Sequence, residues 1–272
     1  MDWNKTKSIF IIVFAILNVF LYSLYLDRYN ESQNVVFLVE SSNEEKLEAD
    51  KISYSDLPAQ VESQPYVTGK MKSFVAADVP GSDSTGDVSN DKSLAVRFNE
   101  PMPLGEKVST EVLQEFVDKT VYKGDNYVLW RIDEKNRKAV FFQEISGQPL
   151  YYSNGGKLTV YWNDNAEVMN YEQTIFENVE ESEQQKTLIP AIQAIHTLYQ
   201  KRLLPTNTEI DSAEIGYSEY VTVSEETQMF LPTWRIKATL EDGTQQEFFV
   251  NAVKDGVIEL KEKEEEEEEP AQ

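Results

Sequence analysis

The sequence predicts an α+β protein: a single N-terminal transmembrane helix, then an extracytoplasmic domain of antiparallel sheets and helices arranged as two related lobes. Three observations predict it. The apolar run 8–26 holds 19 residues without a charge. At about 1.5 Å per helical residue it spans roughly the ~30 Å hydrocarbon core of a bilayer. Beyond it, short apolar runs alternate with polar residues and are separated by turn residues, as in antiparallel strands. Two segments with helical periodicity, starting near Ser109 and near Thr187, are each followed by hairpin signals.

The chain begins MDWNKTK, continues SIFIIVFAILNVFLYSLYL and then reads DRY. A cleaved signal peptide has an apolar core of about 7 to 15 residues and a small-x-small cleavage site. Tyr25-Leu26-Asp27-Arg28-Tyr29 offers no such site, so the run reads as an uncleaved anchor. Lys5 and Lys7 precede it and Arg28 alone follows it, so the positive-inside rule keeps the N-terminus in the cytoplasm. The expectation is a single-pass cell-membrane protein with a cytoplasmic tail at 1–7, a membrane helix at 8–26 and an extracellular C-terminal domain. Asn18 lies near the middle of the run. Side-chain amides at such depth bond neighbouring helices at ~0.6 to 2 kcal/mol, and an amide that faces lipid or bonds its own backbone is the equal alternative. Ile11, Phe14, Asn18, Tyr22 and Tyr25 share one helical face and form the candidate transmembrane interface.

Without residues 1–29 the chain keeps 22 basic and 46 acidic side chains, a net charge of about −24. Such a surface repels nucleic acid and anionic lipid heads, which proteins bind through Lys and Arg. Cysteine is absent, so the exported domain must stand on packed cores without disulfides.

Along the ectodomain, Ser42 and Glu45 form a capping box that starts a short helix at 44–51, and SYSDLP at 53–58 ends it. Residues 65–74 read as a strand. PGSDSTGDVSNDK has nothing to bury, so 79–92 reads as a mobile loop. LAVRF at 94–98 is a strand. Ser109 caps a helix carrying Val112, Leu113, Phe116, Val117 and Thr120 on one side, with Lys119 near its end and Gly124 beyond it. YVLWRI at 127–132 and AVFFQEI at 139–145 form a hairpin. LYY at 150–152 and KLTVYW at 157–162 form another across Asn154-Gly155-Gly156. Residues 167–179 read as one long strand.

Helical spacing returns at 187–204, where Leu188, Ile192, Ile195, Tyr199 and Leu203 make a stripe. Pro190 fits its first turn if Thr187 is the cap and kinks the helix if it starts at Ser182 with Gln185. The last third reads as antiparallel strands at 217–223, 229–240 and 246–253, with Glu241-Asp242-Gly243 as a hairpin turn. In TWRIKATL, Trp234, Ile236, Ala238 and Leu240 alternate with Arg235, Lys237 and Thr239, which predicts one wet face. The expected division is a first lobe with the juxtamembrane segment at 27–165, a second lobe at 166–261, and a disordered acidic tail at 262–272.

Chemistry-bearing residues are sparse. A lone His196 near a buried stripe reads as a packing residue, since no cysteine and no second imidazole accompany it. Carboxylate pairs abound by composition alone, and none is singled out for glycan hydrolysis. NDNAE at 163–167 and GSDSTGD at 81–87 lack calcium-loop spacing and read as turns. No catalytic, cofactor-binding or metal-ligating set is assigned, and the chain is read as non-enzymatic.

The N-terminal thirty residues, MDWNKTKSIFIIVFAILNVFLYSLYLDRYN, resemble the start of the YycI (WalI) family. EKLEADKISYSDLP at 45–58, PYVTGK at 65–70, LTVYWNDNAEVMNYEQTIFENVEE at 158–181 and LIPAIQAIHTLYQKRLLP at 188–205 are similar to later blocks of that family. The resemblance covers most of 1–260 but neither the 79–92 loop nor the glutamate tail. It implies a membrane-anchored regulator of the WalK–WalR cell-wall two-component system, and a YycI/YycH-like fold. It also implies a YycH-like heterodimer partner, contact with a WalK-like sensor histidine kinase through transmembrane helices, and no catalytic residues. The closing segment, LPTWRIKATLEDGTQQEFFVNAVKDGVIEL, also resembles the PepSY-like module, whose implied role is an extracellular ligand-binding or protease-modulating domain.

Overall fold

The computed structural model describes residues 44–54, 57–58, 63–81, 84–89, 91–105 and 107–260, together with 7, 10, 11 and 13–23 near the N-terminus. The protein is a sheet-rich α+β fold with few helices. Among the described residues the strands form two seven-stranded sheets, each covered by one helix.

The first sheet, here the frame, contains β1 (Ser53–Tyr54), β2 (Ser63–Met71), β10 (Phe176–Thr187), β11 (Glu209–Thr222), β12 (Thr227–Thr239), β13 (Gln245–Asn251) and β14 (Gly256–Ile258). Its order is β1-β11-β12-β13-β14, with β2 lying between β12 and β10 at the other half of β12. β1 runs parallel to β11, and the other pairings in this sheet are antiparallel. The second sheet contains β3 (Ser84–Ser89), β4 (Ser93–Pro103), β5 (Tyr127–Asp133), β6 (Lys138–Ile145), β7 (Gln148–Pro149), β8 (Lys157–Trp162) and β9 (Glu167–Gln173). It runs β3-β4-β9-β8-β6-β5, with β7 on the end of β6.

The second sheet is an insertion into the frame. The chain leaves at the end of β2 and returns at the start of β10, where Met71 pairs with Phe176. The Lys72 N–H donates to the Ile175 carbonyl at 2.9 Å across the same doorway. The expected lobe division at 165/166 therefore falls in the turn between β8 and β9, two strands of one sheet. The strands β1 and β2 belong instead with the last third of the chain. Local pattern cannot show this, because β2 finds β10 and β12 only after the inserted lobe has intervened.

Among the described residues three apolar clusters form the cores. In the inserted lobe the helix Thr110–Thr120 lays Leu113, Phe116 and Val117 on Leu94, Val96, Phe141, Leu158, Val160 and Tyr171. Its spacing is the expected one, and Ser109 Oγ accepts from the Val112 N–H at 3.4 Å. Gly124 is needed just after it, since a Cβ there would come 1.9 Å from the Val117 carbonyl oxygen. In the frame the helix Ala191–Gln200 packs Ala191, Ala194, Ile195 and Leu198 on Trp234, Ile236, Ala238 and Val250, with Leu47, Ile52 and Ile210 completing the cluster. The third cluster joins Val67, Phe176, Tyr217 and Phe230 of the frame to Ile145 and Leu150, welding the lobes together.

Several local expectations are corrected. The 79–92 loop contains β3, antiparallel to β4 from Ser84↔Phe98 to Ser89↔Ser93. A ladder of backbone bonds needs no apolar side chains, which is why a polar segment can serve as an edge strand. Asn154-Gly156 is a 3-10 turn and no hairpin tip, because β8 pairs with β6 and β9. Gly155 serves close packing there: a Cβ would lie 2.3 Å from Phe176 Cζ. The strand expected at 167–179 is two strands, β9 and β10, one in each sheet. The second helix is shorter than 187–204: Thr187, Ser182 and Gln185 all lie in β10, and Pro190 is the N-cap at φ −61°. The face of β12 expected to be wet is covered around Arg235, which is 9% exposed. Ser42 of the capping box, Tyr25 and the acidic tail lie outside the described residues.

Candidate functional site

Among the described residues three places stand out for their exposed or interlocking side chains: the N-terminal helical segment, the junction where residues 44–54 dock on the frame, and the seam between the lobes. Residues 10–11 and 13–23 are helical, and Ile11, Phe14, Asn18 and Tyr22 are exposed there. Among the described residues no helix is long and apolar enough to cross a membrane. The Asn18 amide Nδ2 donates to the Phe14 carbonyl at 2.8 Å. This is the backbone-bonding alternative for Asn18, and it leaves the amide one further donor and its carbonyl oxygen.

Residues 44–49 form a short helix, Leu47 is 1% exposed, and the chain turns at Asp50 and Lys51 into β1. The Ile52 N–H donates to the Leu47 carbonyl at 2.8 Å, and the Ser53 N–H donates to the Thr208 carbonyl at 3.0 Å. The Tyr199 hydroxyl donates to the Asp50 carboxylate at 2.7 Å, fixing this segment to the Ala191–Gln200 helix. Burial raises the Tyr54 phenol, and the nearby Glu44 charge raises it further. His196 is 3% exposed, as a packing histidine should be, but among the described residues neither ring nitrogen has a hydrogen-bond partner.

The seam is built on Arg235. Its guanidinium lies 3.7 Å from the centre of the Trp130 ring, a cation–π contact of the kind favoured for arginine. Nη1 donates to Glu214 at 3.2 Å and Nη2 donates to Glu247, while Lys237 Nζ donates to Glu214 at 3.1 Å. Burial alone pushes the Glu214 carboxyl up, but the Lys237 hydrogen bond and the Lys237 and Arg235 charges outweigh it and hold it low. Trp130 meets Phe142, Tyr151 and Tyr152 at ring distances of 5.4, 5.6 and 5.4 Å, and Tyr151 and Tyr152 both reach Phe249 of β13. Gln143 completes the weld: its Nε2 donates to the Phe176 carbonyl and its Oε1 accepts from the Phe176 N–H, each at 2.8 Å.

The Arg235 seam was not legible in the sequence. Arg235 sits in an ordinary in–out alternation, and nothing in TWRIKATL marks that the inserted lobe covers it. Next to the seam is a groove of about 390 Å³ lined by Pro58, Gln148, Pro149, Ala213, Glu214, Ile215 and Trp234. It lies along β11 between the pairing of β1 with Ile210 and the contact of Leu150 with Tyr217. Asn163 in the NDNAE segment is a turn former, its Oδ1 accepting from the Asn165 and Glu167 N–H groups. Among the described residues no three acidic or histidine side chains gather to hold a metal ion.

A family model described as YycI protein matches residues 31–253. No curated protein matches the chain. Among solved structures, the 1.45 Å crystal structure of an uncharacterized protein from Eubacterium rectale ATCC 33656 is similar at a TM-score of 0.46 and 12% identity, covering 78% of this chain and 92% of that one. The family match runs through both sheets, both helices and the Arg235 seam, and the chain belongs to the YycI family.

Proposed function

We propose that this chain is a non-enzymatic regulator of a WalK-like sensor histidine kinase. It is anchored by a membrane helix at 8–26, acts with a YycH-like partner and contacts the kinase through transmembrane helices. The family match over 31–253 carries the reading, since membership implies a regulatory role in the WalK pathway. In this reading the signal passes sideways within the bilayer, from the membrane helix to the kinase. Such a contact modulates the kinase only if it binds one kinase state more tightly than the other, because equal affinity shifts no population. The free donor on Asn18 and the exposed Ile11, Phe14 and Tyr22 are the groups proposed for that contact.

The test is co-purification of the full chain from detergent-solubilised membranes, beside a variant whose residues 8–26 are replaced by an unrelated apolar helix. The expected result is recovery of the kinase and the YycH-like protein with the natural chain, and loss of the kinase with the swapped helix. Protease added to intact protoplasts should cut the chain beyond Tyr29. Protection until lysis would place the domain in the cytoplasm and end this reading. A second reading, a PepSY-like extracellular binder, is favoured by the groove beside Trp234. A binder should keep its activity when the membrane helix is exchanged.

A further inference from the structure

We propose that His196 makes the docking of residues 44–54 on the frame an acid-sensitive latch, closed at neutral pH and loosened on acidification. The reasoning goes beyond the kinase reading and does not need it. His196 is the one histidine in the sequence. It sits in the Ala191–Gln200 helix, 3% exposed, with both Nδ1 and Nε2 lacking partners among the described residues. A neutral imidazole tolerates this, although its one N–H goes unbonded; an imidazolium would bury two unmatched donors and a charge.

The surroundings supply the hinge. Tyr199, three residues along the same helix face, holds Asp50, and Leu47 and Ile52 are buried in the same apolar cluster as Ile195 and Leu198. The charged groups acting on His196 are Glu44 and Lys46 from the 44–49 helix and Asp255 from the turn after β13. Asp255 is already engaged, accepting from Gln193 Nε2 at 3.0 Å and from the Thr197 hydroxyl. Glu44 and Lys46 oppose each other. Glu44 and Asp255 favour the charged ring, but neither hydrogen-bonds it and, with Lys46 opposing, they do not outweigh burial, so relief for an imidazolium comes from letting the 44–52 segment lift so that water reaches the ring.

Burial holds the imidazole below its ordinary value of 6.5 in the closed state. In the lifted state it returns to that value. The closed state is thus fully favoured above about pH 6.5, and its advantage is lost as pH falls from 6.5 towards the lowered value, by at most about tenfold per pH unit for one proton. Residues 44–52 connect the N-terminal segment to the frame, so the latch sets how firmly one end of the molecule is tied to the other.

The experiment uses the full chain in phosphatidylcholine nanodiscs. The ring resonance of the single histidine gives its titration directly, and hydrogen exchange, corrected for intrinsic pH dependence, follows peptides covering 44–54 and 110–120 at pH 7.5 and 5.0. The expected result is a histidine titrating below 6.5 and roughly tenfold faster exchange at 44–54 on acidification, with 110–120 unchanged. His196→Leu and His196→Phe should flatten the response. A histidine titrating at or above 6.5 would overturn the proposal, as would exchange at 44–54 that does not change with pH or changes equally in the variants. Should either variant fail to fold, the two measurements on the natural chain still decide.

Discussion

The helix Thr110–Thr120 begins on Ser109, whose hydroxyl takes up a free N–H of the first turn; the helix Ala191–Gln200 begins on Pro190 and has no side-chain cap. The first is written into eleven consecutive residues and their immediate neighbours. The second depends on residues far away in sequence: Asp50 on Tyr199, Asp255 on Gln193 and Thr197, and Trp234 Nε1 donating to the Ile189 carbonyl at 2.9 Å. The same division holds for the lobes. The inserted lobe is one unbroken stretch of chain, whereas the frame closes only when residues 44–54 and β2 meet residues 176–258. A helix with local signals survives loss of distant contacts, and a helix held by distant contacts can be released by them. That contrast places the adjustable part of the molecule in the frame.

The largest effect should come from the frame's own wall. Trp234→Ala removes the side chain under the second helix and leaves the Ile189 carbonyl without its donor, and should cost about 3–5 kcal/mol in urea unfolding. Hydrogen exchange should rise first in 191–200 and later in 110–120. If both helices loosen together, the lobes form one cooperative unit and the contrast above fails. Next is the weld. Gly155→Val would drive a methyl into the Phe176 ring in the third cluster and should cost about 1–3 kcal/mol. Arg235→Ala takes the guanidinium from Glu247 and from Trp130 and leaves Glu214 to Lys237, and should cost a similar ~1–3 kcal/mol by the same denaturation measurement.

Ser109→Ala tests the local half of the comparison, with an expected loss of about 1 kcal/mol and faster exchange confined to the first turn of Thr110–Thr120. The smallest effect belongs to Glu226, in the turn before β12. Hydrogen bonds from Lys92 and then Lys70 hold its carboxyl down to about 2. Lys92 comes from the inserted lobe, so the pair ties the lobes at the surface, at 2.7 Å. Since the folded value lies below the ordinary one, its contribution is present above about pH 4.5 and lost as pH falls towards 2. Glu226→Gln should remove that part of the acid unfolding curve, and 1 M salt should shrink the difference between the two proteins.

Much of the fold was legible where signals are local. The Ser109 cap and its apolar spacing, the β5–β6 hairpin and the Glu241-Asp242-Gly243 turn before β13 all stand as the sequence predicts. So does the antiparallel α+β class. What escaped was tertiary. β3 is polar and is recruited by β4, and β10 exposes most of its twelve residues and is held by backbone pairing to β2. Asn154-Gly155-Gly156 resembles a hairpin tip, yet Gly155 is there to admit the Phe176 ring. His196 was legible as a packing residue, but its two unpartnered nitrogens were not, because only the packed structure shows what faces the ring. Of the N-terminal face, Tyr25 lies outside the described residues, and Asn18 bonds its own helix.

The doorway between the lobes gives the molecule a modular character. Met71 pairs directly with Phe176, so the two ends of the inserted lobe stand about 5 Å apart, the spacing of neighbouring strands. A two-residue turn could close β2 onto β10 and leave the frame with its sheet, its helix and its tie to residues 44–54 complete. By the same geometry, another domain with adjacent termini, a fluorescent reporter for instance, could be grafted at Lys72 and Ile175. The chain would then carry a readable cargo at the spot where nature has placed its second sheet.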